Sequence, residues 1–294
     1  MSSAVTVLAD KVTTAYEALE SAGLNFTVEQ SEVMNVATGK VSELKKSLYR
    51  SDTGVELGVV GMGYNPVQNF DAFSYFDNIC QMYGARYSQA ISIDGGAKIV
   101  LKAEFPKTDL INLNDEVRRQ FVLINGHNGT VGLKADFMLE RLVCTNGLRM
   151  MSRDAASSFR FKHTTNVLPK MDEALKVLGE GVKYFDNFIE MSRALAQKHI
   201  DKTMVDSFLD DLIGSADEDD SKRSASMKQN KKDTLIDLYQ NGMGNNGSTA
   251  WDIYNAVTEY TDHHHGNGDK RDNFNYFGGG ISIKEKAFNL AISL

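Results

Sequence analysis

"VRRQFVLINGHNGTVGLKADFMLERLVCTNGL", residues 117–148, decides the fold. A segment from Val117 that ends in the apolar run Phe121–Ile124 meets "NGHNGT" at 125–130, and a long strand-like segment extends from Val131 to Val143. Asn and Gly tolerate left-handed backbone at little cost, so their density between two strand-like segments is hairpin chemistry. The stretch predicts a strand, a turn and a long strand. The same pattern lies upstream. "ARYSQAISIDGGAKIVLKAEFP" (85–106) reads as two strands around "DGG", and "VSELKKSLYRSDTGVELGVVGMGY" (41–64) as two strands around "SDTG". "FTVEQSEVMNV" (26–36) adds another.

Two segments of this half carry a helical period instead. Val5, Leu8, Val12, Tyr16 and Leu19 are spaced for one helix face, closed by Gly23. Phe70, Phe73, Phe76, Ile79, Cys80 and Tyr83 are spaced for another, with Asn65 and Pro66 as its expected N-cap and first residue. From Met150 onward most segments read as helical, notably "KMDEALKVLGEGVKYFDNFIEMSRALAQKHI" (170–200) and "AWDIYNAVTEYTDHH" (250–264). "GSADEDDSKRSASMKQNKKD" has linker composition and predicts a mobile charged loop at about 214–232. Strands first and helices later give an α+β class: an antiparallel sheet with at least one covering helix over 1–165, then a mostly helical region over 166–294.

The bulk numbers narrow the function classes. The chain has 294 residues, 42% hydrophobic and 24% charged, the proportions of a soluble globular protein. No run approaches the length of a membrane span, and "MSSAVTVLADKVTTAY" lacks a basic region followed by an apolar core, so no secretory leader is expected. Cys80 and Cys144 form neither a disulfide framework nor a zinc spacing. Gly126, Gly129 and the Gly278–Gly280 run lack the strand-to-helix setting of a phosphate loop and read as turns. The expectation is a cytoplasmic protein without cofactor or metal.

The order of several motifs resembles the phage/plasmid-like protein family catalogued as domain-of-unknown-function family number 932. The matching stretches are "EALESAGLNFTVEQ", "GYNPVQNFDAFSYFD", "INGHNGTVGLKADFMLERLVCTNGL" and "FRFKHTTN", then "STAWDIYNAVTEYTDH" and "KRDNFNYFGGGISIKEKAFNLA". The resemblance implies a phage, prophage or plasmid origin and a workplace in the cytoplasm of a bacterial host cell. It brings no assigned activity. The family pattern commonly has an arginine soon after "DH", whereas "TDHHHGNGDKR" places Arg271 later, behind a polar insertion.

Formal net charge is -7, but the charge is segregated. From 141 to 170 the basic residues Arg141, Arg149, Arg153, Arg160, Lys162 and Lys170 face Asp154 alone. From 201 to 220, Asp201, Asp206, Asp210, Asp211, Asp217, Glu218, Asp219 and Asp220 face only Lys202. Asn146 and Gly147 have the composition of a left-handed turn with Leu148 starting a helix. A helix N-terminus there, flanked by Arg149 and Arg153, suits a phosphate; the alternative is a strand-to-helix junction with solvated arginines. "FRFKHT" (159–164) alternates aromatic and basic residues. As an inner strand it packs Phe159 and Phe161 and exposes Arg160 and Lys162; as an edge strand it offers rings and cations to single-stranded nucleic acid.

Other groups read as structural. Cys144 ends an apolar strand and is expected in the core; the competing reading is a nucleophile with His127 or His163 as base. Consecutive His263, His264 and His265 point in different directions on a helix and do not converge on one ion; they read as cationic caps of a helix end. Trp251, Tyr254 and Val257 form an internal docking stripe, and Tyr64, Asn65, Gln68 and Asn69 could form a polar pocket at a helix start. The functional expectation is a non-enzymatic, self-associating protein that binds or anneals single-stranded DNA in recombination or replication. The alternative is a phage factor without DNA affinity that binds a host or phage protein, countering host defence or adapting host machinery. An enzyme built on Cys144 is a third reading.

Overall fold

The computed structural model describes residues 3–148, 158–163, 182–214 and 221–294. In chain order the first half carries strand β1 (Ala4–Val7), helix α1 (Ala15–Ser21), β2 (Val28–Asn35), β3 (Lys40–Arg50) and β4 (Glu56–Gly61). Helices α2 (Asn69–Ser74) and α3 (Asp77–Tyr83) follow, then β5 (Arg86–Ile93), β6 (Lys98–Asn112), β7 (Asp115–Gly126), β8 (Leu133–Arg141), β9 (Asn146–Leu148) and β10 (Ser158–Phe161). The second half is helical: α4 (Val182–Gln197), α5 (Lys202–Ile213), α6 (Lys222–Asn241), α7 (Ala250–Glu259), a π-turn (Tyr260–His264), α8 (Gly268–Phe277) and α9 (Gly279–Ser293). The α+β class with antiparallel sheets and a mostly helical C-terminal half is therefore the observed one.

Seven strands form one sheet in the order β1-β5-β6-β7-β8-β10, with β9 also on β8, and β2-β3-β4 form a second. The "SDTG" and "DGG" hairpins both close antiparallel pairs, β3 with β4 and β5 with β6. In the second, Gly95 and Gly96 take φ of 71° and 100°, which a side chain would resist.

The chain divides into two compact units that do not meet at a single point in sequence. Unit 1 comprises Met1–Pro106, Gln120–Phe137 and Asp154–Val182; unit 2 comprises Lys107–Arg119, Met138–Arg153 and Lys183–Leu294. In unit 1, Phe73 of α2 and Phe76, the N-cap of α3, are buried, and Phe121 lies between Phe105 and Phe137 at ring separations of 5.0 and 4.6 Å. In unit 2, α7 is buried along its whole length, and Phe288 sits 4.9 Å from Phe188 and 5.1 Å from Tyr254. Each such ring contributes about 1.5–3 kcal/mol by leaving water. The Trp251–Tyr254–Val257 stripe is internal, as its spacing predicts.

Three local expectations are corrected. Val5 and Leu8 do not belong to α1: residues 4–7 pair as β1 with β5, and the helix starts later, where Thr14 and Glu17 form a capping box. The helix predicted from Pro66 to Tyr83 is two short ones, entered at Gln68 rather than at Asn65–Pro66, and the second ends on left-handed Gly84 (φ 67°). The loop expected up to residue 232 is instead helical from Lys222, capped by Ser221, whose hydroxyl accepts from Ser224 N. This helix buries Leu235, Leu238 and Tyr239 at its far end, so its first half can be polar without being a linker.

Candidate nucleic-acid interface

Strand β10 pairs antiparallel with the start of β8, in the register Ser158↔Asp136, Phe159↔Ala135, Arg160↔Lys134 and Phe161↔Leu133. It stands last in the strand order and is a sheet edge among the described residues. Arg160 and Lys162 are exposed, whereas Phe161 between them is half-buried, the two-residue alternation of a strand with one wet face. Across from Arg160, Lys134 is engaged by Asp136 at 2.5 Å.

The end of β10 is closely held. A side chain at Gly132 would lie 2.2 Å from the Phe161 carbonyl oxygen, so glycine is what lets the two backbones meet. His163 then turns into unit 1, with only 4% of its surface exposed. Its Nδ1 accepts from Val67 N (3.1 Å) and its carbonyl from Asn65 N (3.2 Å). Tyr64 stacks on its ring at 5.0 Å and donates its hydroxyl to the Gly126 carbonyl at 2.8 Å. Below lies a buried polar group. His127 Nε2 is 2.8 Å from Asn69 Oδ1, which also accepts from Asn125 Nδ2 at 3.1 Å. Burial, with a smaller contribution from neighbouring His163, lowers the His127 pKa to about 3; burial lowers that of His163 to about 4. Both rings are neutral at physiological pH. The polar cluster expected from Tyr64, Asn65, Gln68 and Asn69 thus exists in part: Gln68 turns instead to β2, where it brackets the Val28 backbone.

Arg141 is a correction. It is fully buried in unit 2, with Nε 2.8 and 2.9 Å from the two Asp115 oxygens and Nη2 2.7 Å from Oδ2. Nη1 donates to the Met243 carbonyl and Asn245 Oδ1, both at 2.9 Å, and Nη2 to the Gly244 carbonyl at 2.8 Å. Trp251 Nε1 adds a 2.6 Å bond to Asp115. Burial opposes the charge, but Asp115 outweighs it and raises the arginine pKa. A guanidinium so enclosed has no donor left for a phosphate. Leu133, Ala135, Phe137, Leu139 and Arg141 share a two-residue period, so Arg141 continues an apolar row.

The turn after Arg141 is also corrected. Thr145, not Asn146 or Gly147, is left-handed (φ 55°), and Asn146–Leu148 form β9 against β8 rather than leading into a helix at Leu148. The Gly147 N–H, expected to meet a phosphate, donates to the Asp262 carboxylate at 2.8 Å. Lys284 closes the arrangement, with Nζ 2.6 and 2.7 Å from Asp262 and 2.8 Å from the Gly147 carbonyl. The anion at this turn is the protein's own side chain. His263 donates from Nε2 to the Cys144 carbonyl, and His265 stacks on Phe274 at 3.7 Å. Cys144 is buried and its thiol is pushed up to about 11 by burial, the opposite of an activated nucleophile.

Arg149, Arg153, Lys170 and the acidic residues Asp217, Glu218, Asp219 and Asp220 lie outside the described residues. Of the other acidic residues, Asp201 caps α5 by accepting from Met204 N, and Asp210 pairs with Lys232. Asp206 and Asp211 are exposed. Among the described residues no helix is long and apolar enough to cross a membrane, and no cluster of three or more His, Cys, Asp or Glu side chains could hold a metal.

Neither the curated proteins nor the solved structures contain a match to this chain. Residues 56–276, from β4 through α8, match the family described as Domain of unknown function (DUF932), and the chain belongs to that family.

Proposed function

We propose that this protein binds single-stranded nucleic acid, with Arg160 of β10 and Lys162 just past its end as phosphate contacts. The observation that carries the reading is the pairing of exposure with position: two solvated cations flank a half-buried phenylalanine on a sheet edge. An edge strand leaves room for a chain lying alongside it, phosphates meeting the cations while bases reach apolar surface. Annealing in phage or plasmid recombination or replication, performed by a self-associated form in the bacterial cytoplasm, is the finer part of the proposal.

Fluorescence anisotropy of labelled single-stranded and duplex oligonucleotides tests it. Binding that prefers the single strand and weakens with salt is expected, and the R160E/K162E double variant should lose it while keeping the native circular dichroism spectrum. Unchanged affinity in that variant overturns the assignment.

Exposed Asp206 and Asp211 on α5 favour the second reading, a surface for a basic protein partner. It expects no oligonucleotide binding at low salt and a captured host or phage protein that is lost from the Asp206→Asn/Asp211→Asn variant.

A further inference from the structure

Three buried polar atoms of the cluster beneath His163 have no protein partner: Asn125 Oδ1, His127 Nδ1 and His163 Nε2. Asn125 and His127 are completely buried and His163 nearly so. Their chemistry follows from the bonds they do make. His163 Nδ1 accepts from the Val67 N–H, so its proton is on Nε2. Asn69 donates through Nδ2 to the Leu24 carbonyl, which leaves Oδ1 as the acceptor facing His127 Nε2. The His127 proton is therefore on Nε2, and Nδ1 carries a lone pair. Asn125 Nδ2 donates to the Val67 carbonyl and to Asn69, so its Oδ1 accepts. The unmet set is one donor and two acceptors.

The two imidazole centroids are 6.2 Å apart at 66°. Ring nitrogens lie too near their centroids for a direct bond at that separation, so the two rings can be joined only through a third group. We propose that this cluster is a binding site for one ordered internal water, which accepts from His163 Nε2–H and donates to His127 Nδ1 and Asn125 Oδ1. The protonation pattern separates water from other occupants. A metal ion would meet the His163 N–H in place of a lone pair. An anion would find two acceptors and a single donor. A neutral molecule with two donors and an acceptor matches all three, and buried waters characteristically make about three such bonds. The water would join Asn125 near the end of β7, and His127 just after it, to the residue that anchors the end of β10.

A high-resolution crystal structure of the full chain, grown with and without added zinc, tests this. The expected result is a single density peak about 2.6–3.2 Å from all three atoms, without anomalous signal, in both crystals. An anomalous peak at the site, a rotated Asn125 amide that meets a histidine directly, or dry packing between the rings overturns the proposal.

Discussion

Lowering the pH from 7 to 5 should remove a large part of the stability of unit 1, because His127 and His163 refuse a proton while folded. Their pKa values fall from the ordinary 6.5 to about 3 and about 4, mainly through burial. The unfolded chain binds protons near 6.5 and the folded chain does not. Stability from these groups is therefore fully present above pH 6.5 and declines as pH falls toward 4 and then 3. At pH 5 each unfolded histidine gains roughly 2 kcal/mol by protonation that the folded one forgoes, so the pair costs roughly 4 kcal/mol. The groups facing them, Asn69, Asn125 and stacked Tyr64, supply no carboxylate to offset a new charge. Urea unfolding at both pH values, in the parent and in the His127→Gln/His163→Gln variant, isolates the effect. The variant starts lower at pH 7 but should lose much less between pH 7 and 5. Equal losses in the two proteins would refute the reasoning, as would an NMR titration of either ring with a midpoint near 6.5.

Three further outcomes follow from unit 2 and the thiols. Arg141→Met leaves the Asp115 carboxylate buried without its counter-charge, facing the neutral Trp251 N–H, and should cost about 3–5 kcal/mol in urea unfolding; a loss below 1 kcal/mol would show that the carboxylate is not enclosed. Thr145→Gly relieves a left-handed β-branched residue at about 1–2 kcal/mol while loosening the unfolded chain by about 0.5–1 kcal/mol, so a small rise in Tm is expected. Cys80 and Cys144, with thiols pushed up to about 12 and about 11 by burial, should stay unlabelled by a mild alkylating reagent at neutral pH until urea is added. Fast native-state labelling would contradict that burial.

What the sequence made legible was chemistry that acts locally. The "SDTG" and "DGG" turns need left-handed residues within a few positions, so composition reveals them. The 251–254–257 stripe and the 160–162 alternation follow from helix and strand periods. What stayed hidden depends on partners far along the chain. Arg141 meets Asp115 from 26 positions upstream and Met243 from 102 downstream. No window around "FMLERLVC" contains those partners, so the arginine reads as surface charge despite its place in an apolar row. In the "CTNG" turn the composition placed a left-handed residue correctly to within one position. Asn146 is held instead by Thr258, and Gly147 by Asp262, which leaves the strain on Thr145. Helix α6 was missed for another reason: a solvated helix face and a linker have the same polar composition, and its apolar residues begin only near its end.

The basic run from 141 to 170 is therefore not one surface merely because it is one stretch of sequence, and salt dependence can count what remains of it. Removing Arg141 leaves five of the six cations first assigned there. Among the described residues, Arg160 and Lys162 are the two that are exposed. Each phosphate neutralised on a single strand contributes about −0.7 to the slope of log K against log salt. Contact through Arg160 and Lys162 alone predicts a slope of about −1.4, and participation of Arg149, Arg153 and Lys170 as well predicts about −3.5. Arg141→Met, if it folds, should leave the slope where it is, because a buried guanidinium releases no counterion. R160E/K162E should flatten the shallower slope entirely but lower the steeper one by less than half. A slope that responds to Arg141 and ignores β10 would reverse the assignment of which arginine is structural and which meets the nucleic acid.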